Sequence, residues 1–143
     1  MRVLALDYGS ARCGCALSDP TGTIVTPVET VARPATKRGF ARLRELVRER
    51  DVERVIVGLP LSLDGSDTEQ TRETRAFASE LSLRLGEDIP VEMHDERFTT
   101  RLAQRIDSGG ARRATGGAGA FATSEDSRAA AHLLESWLAA RSR

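Results

Sequence analysis

The hydrophobic pattern opens with a continuous apolar run, Val3 to Leu6, that stops at Asp7 and a glycine turn. Such a run predicts a strand buried on both faces, of the kind found in the middle of a mixed or parallel sheet. Cys13, Cys15 and Leu17 then alternate with small residues, which predicts an immediate antiparallel return strand. A third strand is predicted from Thr23 to Val31, and Pro27 within it demotes it to a sheet edge. From Ala35 to Arg50 the period changes: Phe40, Leu43, Leu46 and Val47 recur at helical spacing behind Thr36, a suitable cap. The β-branched stretch within Asp51–Gly58 predicts another buried strand. Thr68–Leu85 predicts a helix with Phe77, Leu81 and Leu85 inward, and Pro90–His94 a last strand. A short helix from Thr99 or Thr100 towards Ser108 follows. The final helix, Glu125–Arg141, turns Ala129, Leu133, Leu134, Trp137 and Leu138 towards the sheet.

Three strands, helix, strand, helix, strand and helices imply an α/β fold with a five-stranded mixed sheet. Three antiparallel strands come first, and two parallel ones follow by crossovers. The 143 residues fit a single domain, 1–143, with no repeat or second core. Residues 109–124 interleave five glycines with alanine, Arg112 and Arg113, too poor in large apolar groups to pack. They are expected to form a mobile basic loop, either a plain linker or a flap over a polyanion.

Charge changes the picture little, because 21 basic residues balance 21 acidic ones. No overall field pulls the chain onto nucleic acid, so any such binding needs local patches. The mixed charges on the outer face of the first helix read as a solvated surface. Tyr8 and Trp137 are the only aromatics with polar handles, so no platform for stacking single-stranded bases is evident. Cys13 and Cys15 share one strand face and cannot bridge each other without strain, which makes them buried thiols and points to a reducing compartment. With no leader-like or membrane-spanning stretch, the expected location is the cytoplasm. His94 and His132 read as structural.

Three carboxylates stand out by position: Asp7 ending the first strand, Glu96 just after the last, and Asp126 in the first turn of the final helix. Ligands of such sheets bind where the parallel strands end. Acids gathered there repel one another unless cations lie between them. All-oxygen donors and the lack of a Cys/His cluster favour Mg²⁺ or Mn²⁺ over zinc. Two such ions could activate a water and stabilise the leaving oxygen of a phosphodiester. Taken singly, Glu96 could pair with Arg97 or Arg101, and Asp126 could serve the helix macrodipole alone.

The chain resembles the YqgF/RuvX proteins of the RuvC-like branch of the ribonuclease H fold. The resemblance rests on DYGSARCGCALSD (7–19), VGLPLSLDG (57–65), RAFA (75–78), HDERFTT (94–100) and DSRAAAHLLESWL (126–138). It implies a bacterial cytoplasmic nuclease acting on the 5′ end of precursor 16S ribosomal RNA, with Holliday junction resolution as the alternative. By position it makes Asp7, Glu96 and Asp126 the catalytic metal-binding acids, with Glu125 the competing choice for the third. Arg12, Arg97, Thr99 and Thr100 fall in matching motifs and are expected to touch phosphates, as are Arg112 and Arg113 in the loop. Expected partners are precursor rRNA or branched DNA, ribosomal particles, and a second copy of the chain, which cleavage of a symmetric junction would need. Competing readings are an actin-like kinase, for which the chain is short of a second lobe, and a non-catalytic nucleic-acid-binding factor.

Overall fold

The structure is a computed structural model that describes residues 1–97 and 125–141. The apolar opening forms β1 (Val3–Tyr8), which turns through Gly9–Ala11 into β2 (Arg12–Ser18). β3 (Val25–Ala32) follows a turn held by Asp19, whose Oδ1 accepts from the backbone amides of Thr23 and Ile24. The connection at Asp51 leads into β4 (Arg54–Leu59), and β5 is Val91–Asp95. The strand order is β3-β2-β1-β4-β5, with β1 central as its apolar run predicts and β3, with Pro27, at an edge. β1, β2 and β3 pair antiparallel, whereas β1–β4 and β4–β5 pair parallel. The five-stranded mixed sheet expected from the sequence is the one present. Small differences lie at the ends: β3 begins at Val25, β4 runs on to Leu59, and β5 reaches Asp95.

Strand parity divides the core between two faces of the sheet. Leu4, Leu6, Cys13, Cys15, Leu17, Val55 and Val57 belong to the larger core. There they meet α1 (Lys37–Glu49) through Phe40, Leu43, Leu46 and Val47, and α2 (Glu69–Leu85) through Phe77, Ala78 and Leu81. Both cysteines are buried free thiols on this face. Tyr8 stacks on Phe77 at 4.3 Å between ring centroids, and Phe77 stacks on Phe40 at 5.6 Å.

The helix starts follow local chemistry. Thr36 Oγ1 accepts from the Gly39 amide at 3.1 Å, as its cap position predicts. Thr68 and Thr71 cap α2 reciprocally, and the fully buried Thr71 hydroxyl also donates to the Pro60 carbonyl at 2.6 Å.

The opposite face carries Val3, Ala5 and Ile56, covered by α3 (Glu125–Arg141) through Leu133, Leu134 and Trp137. Beside them a layer of small residues, Ala16, Ala130 and Ala131, lets α3 lie close to β2. Ala130, rather than the half-exposed Ala129, is the fully buried alanine of this helix, and Leu138 is only partly covered. Leu85 likewise packs at the margin of the larger core. The histidines expected to be structural both have side-chain neighbours, His94 at Ser136 Oγ (3.0 Å) and His132 at Glu135 Oε1 (3.3 Å). The predicted helix starting at Thr99 or Thr100 and the loop 109–124 lie outside the described residues. Among the described residues no helix is long and apolar enough to cross a membrane.

Candidate active site

The same parity that builds the core aims the acids. Asp7 follows Val3 and Ala5 on the α3 face of β1, and Gly14 is its partner on β2. On β4, Gly58 continues the face of Ile56, and it pairs with His94 of β5. Glu96 follows Glu92 and His94, whose contacts with Trp137 and Ser136 put that row on the α3 side too. Asp7 and Glu96 therefore converge at the ends of β1 and β5, where parallel α/β sheets open to ligands.

Two glycines clear the space between them. A Cβ on Gly58 would run into the Glu96 carboxylate, so its absence lets that side chain reach across β4 towards Asp7. A Cβ on Gly14 would overlap the backbone carbonyl of Asp126, so its absence lets the first turn of α3 settle onto β2 beside Asp7. The sequence pattern does not mark these two positions as part of a site. The available signal was glycine inside a strand, which marks close approach of another group.

The Asp7 and Glu96 carboxyls face each other within hydrogen-bonding reach, and two carboxyls can bond in that way only while sharing a proton. Burial is the main cause that pushes both above the usual carboxylate range. Contact with Asp7 adds to it for Glu96, which is pushed up to about 8. Asp126 lies near enough for its charge to raise Asp7 further. Its own carboxylate is turned to Arg12, with Nε 3.0 Å from Oδ2. Of the two adjacent acids at the head of α3, Asp126 faces this site and Glu125 is exposed.

Arg97 is held on the other side. Its Nε and Nη2 donate to Asp95 at 2.9 and 2.6 Å, and Nη1 donates to the Leu63 carbonyl at 3.2 Å. That pairing holds Asp95 below its ordinary pKa. Leu63, 94 % exposed, projects from the loop so fixed. The structure thus brings together Asp7, Glu96 and Asp126, with Arg12 beside them and Arg97 on the rim. Thr99, Thr100, Arg112 and Arg113 lie outside the described residues.

Among the described residues no three carboxylates, imidazoles or thiols yet stand close enough to hold a metal ion. The donor chemistry nevertheless fits a hard cation. Two oxygen-only side chains are buried against each other at the cost of a trapped proton, and a third acid is neutralised by an arginine. Oxygen donors of this kind suit Mg²⁺ or Mn²⁺ and offer nothing to a thiophilic metal.

A β3-β2-β1-β4-β5 mixed sheet with acids at the mouth of its central strand defines a RuvC-like α/β nuclease fold. Its likeness to solved structures runs through the whole chain. Thermus thermophilus RuvC, solved in complex with a Holliday junction substrate, superposes with a TM-score of 0.66 at 16 % identity, covering 99 % of this chain and 96 % of that one. The fowlpox virus resolvase, solved with Holliday junction DNA, gives 0.64 at 12 % identity with complete coverage of both. The chain belongs to the RuvX family of nucleases, described as "Holliday junction resolvase", whose model matches residues 1–140. Among similar curated proteins, one from Mycobacteroides abscessus is 41 % identical over 99 % of this chain and 83 % of its own length. Another, from Corynebacterium jeikeium, is 37 % identical over 99 % and 88 %. Both carry the name "Putative pre-16S rRNA nuclease".

Proposed function

We propose that this RuvX-family nuclease depends on divalent cations held by Asp7, Glu96 and Asp126, and that it trims the 5′ end of precursor 16S rRNA in the cytoplasm, on ribosomal particles. The observation that carries the reading is the Asp7–Glu96 pair: two buried carboxyls pushed together across a glycine, with Asp126 alongside. A fold gains no stability from such a pair. The arrangement has a use when a cation replaces the shared proton. The names carried by the similar curated proteins support the rRNA substrate.

When bound, a pair of Mg²⁺ or Mn²⁺ ions supplies water activation and stabilisation of the leaving oxygen. The chain's own residues do the rest. Asp7 is fixed by the ladder of the central strand and sets the position of the site. Glu96 brings a second carboxylate from the last strand, and its proton must leave before it can serve as a charged ligand. Asp126 supplies the third from α3 once Arg12 releases it, and the freed guanidinium then stands beside the acids, placed to meet a phosphate. Thr99, Thr100, Arg112 and Arg113 are further proposed contacts.

The second reading, resolution of Holliday junctions, is favoured by the match in fold along the full chain to RuvC and to a viral resolvase, both solved with Holliday junction substrates. It would require a two-fold dimer to place two sites on a symmetric junction. A cleavage assay separates the readings: wild type beside Asp7→Asn, on a precursor 16S 5′ fragment and on a four-way DNA junction, with Mn²⁺ or with EDTA. Cutting that needs the ion and vanishes in the variant supports the three-acid site, and the preferred substrate decides between rRNA and junction. Undiminished cleavage by Asp7→Asn would overturn the assignment.

A further inference from the structure

The acid site has a cationic flank that the sequence motifs do not mark. The end of β3 returns to the same edge of the sheet as Asp7, since Ala32 pairs with Arg12. Arg33 follows, exposed, with φ of +43°, a left-handed conformation that arginine rarely adopts. It is locked there on three sides. Its amide donates to the Ala11 carbonyl at 2.9 Å, and its carbonyl accepts from the Thr36 hydroxyl (2.7 Å) and amide (3.3 Å). Gly39 has no room for a Cβ against Arg33 and Pro34, so α1 begins directly on this corner. The first turn of α1 then carries Lys37 and Arg38, both exposed, and no acid. Two cations at a helix start oppose the macrodipole, which favours anions there.

Nearby acids do not compensate them. The acids of α1, Glu45 and Glu49, are both taken by Arg42, together with Glu29 of β3. Arg33, Lys37 and Arg38 make no ion pair among the described residues. Charges that the sequence pattern presents as a mixed, solvated surface are therefore sorted, with acids drawn to Arg42 and cations left open at the corner where β3 ends beside Ala11 and Arg12.

We infer that Arg33, Lys37 and Arg38 continue from Arg12 as a phosphate track, along which a nucleic-acid backbone leaves the acid site across the β2–β3 side of the sheet. The inference rests on the nuclease reading for the identity of its polyanion. Its chemistry is that of backbone phosphates, shared by RNA and DNA, and carries no base sequence.

The test uses substitutions that remove charge while easing the local backbone. Arg33→Gly suits the left-handed φ, and Lys37→Glu suits the helix dipole, so the double variant should melt at or above the wild-type temperature. Binding of the full chain to a labelled hairpin RNA, and in a second arm to a four-way DNA junction, is measured in Ca²⁺ over a salt series. The double variant should bind at least tenfold more weakly, with the log–log salt slope reduced by about one to two. Arg48→Gln, at the far end of α1, should change binding less than twofold. A weakening confined to one arm identifies RNA or DNA as the polymer that follows the track. Double-variant affinity within twofold of wild type in both arms would overturn the track and leave the nuclease reading standing. Failure of the wild type to bind either polymer would overturn both.

Discussion

Removing Asp7 should make the cation-free protein more stable. In EDTA the folded state holds Glu96 at about 8, against 4.5 for an ordinary glutamate, and Asp7 is raised as well. Between those two pH values the folded chain binds more protons than the unfolded one, so unfolding becomes easier as pH rises through that window. The penalty is absent below pH 4.5 and complete above pH 8. At about 1.4 kcal/mol per tenfold change, the interval from 4.5 to about 8 sets a ceiling of about 5 kcal/mol. Two like charges about 4 Å apart at an effective dielectric of about 20 repel by a similar amount, about 4 kcal/mol. Burial, the larger cause for Glu96, remains in Asp7→Asn, so only part is recovered. The expected gain is about 1–3 kcal/mol at pH 8.5, or several degrees in melting temperature, falling to nothing at pH 4.5. His94, lowered by burial, works in the opposite direction, but it is present in both proteins and cancels in the difference. Urea unfolding of wild type and Asp7→Asn in EDTA from pH 4.5 to 8.5 measures it. Parallel profiles, or an Asn variant less stable than wild type at pH 8.5, would refute the proton-sharing pair.

The two site glycines should fail differently. Gly14→Ala meets the backbone of α3, which cannot swing aside, and should cost about 1–3 kcal/mol in urea unfolding. Gly58→Ala meets only the end of the Glu96 side chain, and should leave stability within about 1 kcal/mol while weakening Mn²⁺ binding at least tenfold by titration calorimetry. Ser18→Ala removes the buried acceptor of the Val3 amide, 2.8 Å away, and should cost about 1–3 kcal/mol with cleavage unchanged at temperatures below its melting point.

Much of this molecule is legible in its sequence because its periods are unambiguous. The apolar run before Asp7, cut short by a glycine turn, reads as a central strand, and the spacing of Phe40, Leu43, Leu46 and Val47 reads as a helix, and both are present. The acids are legible as three separate strand or helix ends. Their relation to one another is not, since Arg12 meets Asp126 and Asp7 meets Glu96 only after the order and pairing of all five strands have been fixed. The spacing of Asp126 to Ala129 and Ala130 already favours Asp126 over Glu125, and what the sequence does not carry is the contact of that first turn of α3 with Gly14. The sorted charges of α1 escaped for a similar reason: Arg42 finds Glu29 on another element, and a linear pattern of mixed signs does not reveal which are already spent.

The sheet also works as an optical partition. Tyr8, the chain's one tyrosine, is stacked with Phe77 on the side of α1 and α2, whereas Trp137, its one tryptophan, lies on the side of α3 with its indole N–H donating to Glu92 at 2.8 Å. The chain's one phenol and its one indole therefore lie in different halves of the core. Loosening of α3 can be followed in the tryptophan emission while the tyrosine signal reports the other layer, without a label or a substitution.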